Sequence, residues 1–372
     1  MEQANKQKEK VRLMAFYLPQ YHPIPENNEW WGKGFTEWLN VAKARPLFKG
    51  HYQPYIPTDL GFYDLRVPET REAQAEMAAK YGISGFCYWH YWFGGGKRLL
   101  DRPINEVLAS KKPNFPFCFT WANETWSGIW HGCPNRILMK QTYPGPKDDE
   151  SHFYEVLKAF QDNRYISING KKVFIIFKPY ELPEPERFIN LWRQLAQKEG
   201  LKGLYFIGIL NYPWKTDIKG FDAFTTSPPL SQVVKGIRHS IAKTLTKKVI
   251  NKTRKFPYIF RKIPQIFEYK DYVRHAFPQQ TLNNSFYPCI APNWDNTPRS
   301  GINGYVLQNS TPELYGSLLK KAIAMVQNRD KEFRVVFIKS WNEWAEGNFL
   351  EPSTRWELKY LEVTKSILDE LK

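Results

Sequence analysis

Cysteine is scarce. Only Cys87, Cys118, Cys133 and Cys289 occur in 372 residues, without the paired spacing that holds zinc. Two of them fall in runs that read as buried strands, where a thiol behaves as a small hydrophobe. No stretch approaches the ~20 apolar residues of a membrane span. Residues 1–10 are polar and charged and lack the apolar segment of a secretory signal. The expectation is a soluble, cytoplasmic protein with a short polar tail. Neither Asp-x-Asp nor Gly-x-Gly-x-x-Gly occurs, which argues against a nucleotide-sugar transferase of the metal-dependent kind. No metal and no cofactor is expected. Acids are also in deficit, 37 Asp and Glu against 53 Lys and Arg, for a net charge of +16. That balance favours acidic partners and says nothing of fold.

Aromatic residues are plentiful, 16% of the chain with 14 Trp and 21 Tyr. Short β-branched and aromatic runs predict strands at Val11 to Tyr17, Ile83 to Tyr88, Phe115 to Thr120, Val173 to Phe177, Leu204 to Ile209, Ala223 to Thr226 and Tyr287 to Ala291. An eighth opens the stretch 335–347. Helices are expected at Pro68 to Tyr81, Arg98 to Ser110, Val156 to Asn163, Pro185 to Glu199, Pro312 to Gln327 and Trp356 to Leu371. The chain from Leu18 to Asp59 reads as a long excursion without regular structure, and Asp148-Asp149-Glu150 as a solvated loop. Eight buried strands, mostly separated by helices, predict an α/β fold, a (β/α)8 TIM barrel over residues 11–372. All but two of the Trp, Trp192 and Trp356, follow predicted strand ends. In such a barrel those ends carry the active site. Indoles there suit the faces of sugars.

The eighth unit carries the chemistry. Val335 to Ile338 breaks into Trp341-Asn-Glu-Trp-Ala-Glu-Gly347, a buried strand ending in two carboxylates, an amide and two indoles. Packing alone rarely places carboxylates so. Two held close repel, one pKa rises, and the pair becomes an acid and a base. A solvated loop paired with Lys or Arg is the plainer alternative. Glu37 and Glu124 each sit beside Trp after a strand and could bind sugar hydroxyls or replace Glu343. His22 and His90 follow strand ends and suit hydrogen bonding to substrate. The candidate binding set is Tyr17, Gln20, His22, Trp31, Glu37, Trp38, Trp89, His90, Trp92, Trp121, Asn123, Glu124, Trp126, Tyr212, Trp294, Trp341, Asn342 and Trp344.

Several motifs together, Tyr17-Leu-Pro-Gln-Tyr-His-Pro, Asn28-Glu-Trp-Trp-Gly-Lys-Gly-Phe-Thr-Glu-Trp, Gly85-Phe-Cys-Tyr-Trp-His-Tyr-Trp-Phe, Trp121-Ala-Asn-Glu and Trp341-Asn-Glu-Trp-Ala-Glu-Gly, resemble the WbsX-type proteins. These are bacterial relatives of glycoside hydrolase family 99 from surface-polysaccharide gene clusters. The resemblance spans roughly residues 11 to 365. It implies a (β/α)8 barrel and a retaining, metal-independent enzyme of glycans, of O-antigen or capsule assembly. It also implies roles: Glu343 deprotonates a sugar 2-hydroxyl, which attacks the anomeric carbon, and Glu346 is the general acid and then the base. Ala345 stands where family 99 members commonly have His, so aglycone contacts differ, and α-mannoside specificity does not carry over.

One segment stands apart, an expected insertion over 231–282 between strands six and seven. Within it, Lys235 to Lys262 holds ten Lys or Arg and no acid, with Ile241, Leu245 and Val249 at four-residue spacing. A basic amphipathic helix follows, either packed on the barrel or resting on an anionic membrane or lipid-pyrophosphate carrier. Nucleic acid fits less well, because aromatics enter only at Phe256 and Tyr258. The reading is a retaining glycoside hydrolase or transglycosylase working through Glu343 and Glu346. The alternatives are a glycosyltransferase onto a lipid-linked oligosaccharide and a non-catalytic glycan-binding barrel.

Overall fold

The computed structural model describes residues 11–128, 133–210, 217–227, 263–277 and 285–371. Eight short runs of buried β-branched and aromatic residues form parallel strands: β1 Arg12–Tyr17, β2 Ile83–His90, β3 Phe117–Trp121, β4 Lys171–Ile176, β5 Leu204–Leu210, β6 Ala223–Thr226, β7 Cys289–Ile290 and β8 Val335–Ile338. Each strand from β1 to β5 pairs with the next, and β8 joins β7 to β1. The remaining gap, β6 to β7, is bridged by Phe224, whose N–H donates to Ser285 and whose carbonyl accepts from Tyr287, at 2.7 and 2.8 Å. The circle is a barrel. Covered on both faces, its strands read as near-continuous apolar runs.

Alternation sorts the side chains. Inside, Phe16 stacks on Trp89 at 5.4 Å and on Phe337 at 5.7 Å, with the Cys87 and Cys118 sulfurs 3.6 Å apart. Outside, the Tyr17 hydroxyl donates to Gln74 of the first crossover helix at 2.6 Å, and Trp121 packs on Phe188 and His152. The surrounding helices are α1 Pro68–Lys80, α2 Arg102–Ser110, α3 Pro146–Phe160, α4 Pro185–Lys198, α5 Tyr269–His275, α6 Pro312–Val326 and α7 Lys359–Asp369.

Three expectations change. The helix expected at Val156 is α3, which begins ten residues earlier with Pro146 in its first turn. Its buried face includes Asp149 and His152, and those polar residues hid two turns of the apolar period. Asp148 and Asp149 therefore sit at a helix N-terminus, where negative charge is favourable, and not in a solvated loop. The excursion after β1 contains two short helices, Pro25–Trp31 and Glu37–Lys43, each too brief to show a period. The end of the expected insertion, 263–277, belongs to the body. Gln265–Glu268 pairs with Tyr305–Gln308, and Tyr269 and Tyr272 of α5 hydrogen-bond Ala291 just beyond β7. The basic stretch 235–262 lies outside the described residues.

Candidate active site

β8 delivers the site. Beyond Ile338, the Asn342–Glu343 pair runs antiparallel to Asn348–Phe349, and Trp344–Glu346 form the turn between them. Gly347 closes that turn at φ +57°, so close to Asp295 that a Cβ would stand 2.7 Å from its backbone N and O. Glycine alone fits both demands.

The turn is held from below by buried polar groups. Asn342 accepts from the Leu18 N–H at 2.7 Å and donates to the Leu18 carbonyl at 3.1 Å. The Tyr21 hydroxyl donates to the Asn342 carbonyl at 2.5 Å and accepts from the Trp344 N–H at 3.1 Å. Glu351 accepts from Trp344 Nε1 and Gln74 at 2.6 Å each and from the Tyr63 hydroxyl at 2.9 Å. Burial lifts the Glu351 carboxyl to about 7, against these donors. Trp344 stacks on Phe349 and packs at a tilt against Trp38, whose indole donates to the Tyr63 carbonyl. Trp341, Trp344, Asn342 and Trp38 are thus buried supports of the loop and do not line it.

Glu343 and Glu346 emerge together above this support. Arg299, on the four-residue helix Thr297–Ser300 beyond β7, reaches Glu346 Oε1 with Nη1 at 2.7 Å. The same nitrogen is 3.7 Å from Glu343 Oε1, while Nη2 meets Glu37 Oε2 at 3.0 Å. Lys339 Nζ stands 3.8 Å from Glu346 Oε2 and 5.0 Å over the face of Trp294. Burial, and after it the charge of Glu346, pushes Glu343 up to about 8. Burial also presses upward on Glu346, but Arg299 and Lys339 outweigh it and hold that carboxyl below its ordinary range. Asp295 fixes the geometry. Its N–H donates to the Glu346 carbonyl, and its carboxylate accepts from His51, Gln53 and Thr297.

Around this centre, Gln20 donates to the Tyr91 hydroxyl at 2.9 Å. Trp126 packs edge-on against Tyr91 and Phe93, in a hairpin Trp126–Gly128 with Cys133–Met139 that follows β3. Glu124 is paired with Lys178 at 3.2 Å, and its carboxyl is raised by burial, in part also by Glu346. Trp294 stacks on Tyr305 at 5.2 Å, Trp89 caps the lumen beside Phe177, and Trp31 is half-buried at the end of Pro25–Trp31.

The other candidates are not brought to the mouth. Tyr17 and Trp121 face the helices. His90 Nε2 lies 2.8 Å from His152 Nε2, and burial drives both rings well below the ordinary histidine range, a neutral core pair. Trp92 stacks on His152 and donates to Asp148. His22 is buried with Asp64, Arg66 and Arg102 as charged neighbours, and burial lowers it to about 4. Asn123 ties the Lys178 backbone to the β3 loop. Tyr212 lies outside the described residues. An indole-lined sugar face is therefore not what most of these Trp make, because Trp38, Trp89, Trp92, Trp121, Trp294, Trp341 and Trp344 are buried in the body. Arg299, Lys339, Glu351, Asp295 and Tyr91 were missed. Of these, Glu351 was within reach, a third Glu five residues after Glu346. No group of three or more His, Cys, Asp or Glu suited to a metal occurs among the described residues.

The sequence signature described as "Glycosyltransferase WbsX" matches residues 13–364. The chain belongs to the WbsX family. "Uncharacterized protein WxcX" of Xanthomonas campestris pv. campestris strain B100 is a relative, 35% identical over 359 residues, covering 96% of this chain and 49% of its own length. The protein of the same name in strain ATCC 33913 is 34% identical over the same length. The WbsX chain thus spans about half the length of the curated relatives it matches. Two solved structures share the fold. A "Glycoside hydrolase-like protein" has a TM-score of 0.59 at 16% identity, over 98% of this chain and 95% of that one. A GH99 endo-alpha-mannosidase from a Bacteroides thetaiotaomicron source has a TM-score of 0.57 at 17% identity, over 97% of each chain. No helix among the described residues is long and apolar enough to cross a membrane.

Proposed function

We propose that this chain is a glycan-active enzyme of bacterial surface-polysaccharide assembly, acting through Glu343 and Glu346 with retention of anomeric configuration. The observation that carries the reading is the pair itself. Two buried carboxyls rise from one turn at the C-terminal mouth of a (β/α)8 barrel and share a single guanidinium nitrogen. A retaining enzyme with a protein nucleophile sets its carboxyls across the sugar, about 5–5.5 Å apart. Side chains of one turn approach from the same side, which suits a nucleophile supplied by the substrate. Glu343 then takes the 2-hydroxyl proton and Glu346 serves the leaving group.

The family's description as a glycosyltransferase favours a second reading, transfer onto a lipid-linked oligosaccharide. Incubation with a panel of glycans, nucleotide sugars and lipid-linked oligosaccharides, read by mass spectrometry, separates hydrolysis from transfer. A turned-over substrate with fluorine in place of its 2-hydroxyl should be inert and leave no label. Recovery of a 2-fluoroglycosyl adduct on a carboxylate would instead establish a covalent enzyme intermediate.

A further inference from the structure

The acid–base pair does not account for Arg299. Standing beyond β7, its guanidinium contacts three carboxyls from the next two positions round the barrel: Glu346 and Glu343 beyond β8 and Glu37 beyond β1. These three carboxyls and the two cations Arg299 and Lys339 are all largely buried, with side-chain exposures of 7–13%. Two positive charges balance two carboxylates. A third buried carboxylate would be uncompensated, at a cost of several kcal/mol, so it takes up a proton instead.

The contacts say which one. Glu346 has a cation on each oxygen, at 2.7 and 3.8 Å. Glu37 has the guanidinium at 3.0 Å and the Asn40 amide at 3.5 Å. Glu343 has its nearest cation at 3.7 Å, feels Lys339 without an ion pair being formed, and shares a hydrogen bond with Glu346, while its Oε2 is buried and receives no hydrogen bond. An oxygen so placed is better off as O–H.

We propose that Arg299 decides which carboxyl of the pair holds the proton, and that it places it on Glu343 in the substrate-free enzyme. This rests on reading Glu343 and Glu346 as the working pair. It has a chemical consequence. The roles implied by the family resemblance need Glu346 protonated and Glu343 ionised, so one proton must cross from Glu343 to Glu346 when glycan engages. The crossing leaves net charge unchanged and leaves Glu343 ready to accept the 2-hydroxyl proton. Arg299 is then a positioning residue, acting through the two carboxyls. The other titratable groups facing the cluster are Tyr21 beyond β1, Tyr91 beyond β2, Glu124 beyond β3 with Lys178 beyond β4, and Tyr305 beyond β7. All three tyrosines are kept neutral by burial.

The test needs no substrate. The full chain is labelled with 13C at its Glu side-chain carboxyls and titrated by NMR from pH 4 to 10, with Glu343→Gln and Glu346→Gln assigning the two signals. In the wild type, Glu343 should titrate at about 8 and Glu346 should remain ionised throughout the neutral range. Arg299→Gln should raise the Glu346 titration by about one pH unit or more, and Arg299→Lys should restore most of that shift. Thermal unfolding controls for a merely structural role, which would lower Tm without moving either titration. The proposal is overturned if wild-type Glu346 carries the proton at pH 7, or if Arg299→Gln leaves the titrations in place. Should Arg299→Gln fail to fold, Arg299→Met, neutral and of similar length, is titrated instead, and an unmoved Glu346 there overturns the proposal equally. Glycan turnover by the two glutamine variants separately tests the pair's role, so failure of either idea can be told from failure of the other.

Discussion

Glu343 keeps its proton well above the pH at which an unfolded glutamate loses it, and this couples acid–base chemistry to stability. Its carboxyl is raised from 4.5 to about 8 by burial and by Glu346. Between those values the native state binds a proton that the unfolded chain has released. Stability therefore falls as pH rises through that window and levels off above it. Glu351, raised to about 7, adds a decline of the same sign that ends sooner. Glu343→Gln should flatten the profile, its Tm gaining on wild type by a few degrees from pH 5 to 8 in calorimetry. Glu346→Gln should cut turnover of poor leaving groups by several orders of magnitude and hurt an activated aryl leaving group far less. Equal losses on both would remove Glu346 from the acid role. These two carboxylates were legible because a buried strand ran straight into them. Arg299 was not, since one Arg after Thr297-Pro298 carries no pattern until folding sets it opposite Glu346. His22 and His90 misled for the converse reason: following a strand end in sequence does not fix which way a ring turns.

The element that matters most is the Asn342–Phe349 turn, and its order depends on groups that never meet the carboxyl pair. Glu351→Ala would leave the Trp344 indole, Gln74 amide and Tyr63 hydroxyl without their acceptor. Each orphaned donor costs about 1–3 kcal/mol, so a loss on the order of 3 kcal/mol or more is expected in urea denaturation, with lower glycan turnover. An unchanged midpoint would show that Glu351 braces nothing. Gly347→Ala should cost about 1–3 kcal/mol through its positive φ alone, and more through the clash with Asp295. At this scale the sequence was readable where burial is uniformly apolar, as in β1, β4 and β5. It was opaque where polar groups are buried, as on the inner face of α3 with Asp149 and His152.

At the scale of the molecule, the barrel was foreseeable from eight apolar runs. The burial of most strand-end indoles was not, because a Trp serving a core and one serving a sugar look alike in sequence. The charge of +16 remains a property of the whole chain, concentrated in 235–262. Its ten cations could each contribute about 1 kcal/mol beside an acidic bilayer at low salt. Sedimentation with phosphatidylserine-containing vesicles should show binding that weakens with added salt. Neutral replacement of Lys247, Lys248, Lys252, Arg254 and Lys255 that leaves binding unchanged would dispose of the idea.

Arg299, Lys339, the carboxyl pair and Glu37 come from three adjacent strand ends, β7, β8 and β1. The charged cluster is thus confined to one arc of the rim, and the loops beyond β2, β3 and β4 contribute Tyr91, Trp126, Glu124 and Lys178. A rim divided this way can be retargeted piecemeal. On the proposed reading, exchanging the β2–β4 loops between homologues should change what is recognised and leave the reaction in place, which makes those loops the natural units for grafting a new sugar preference onto the same barrel.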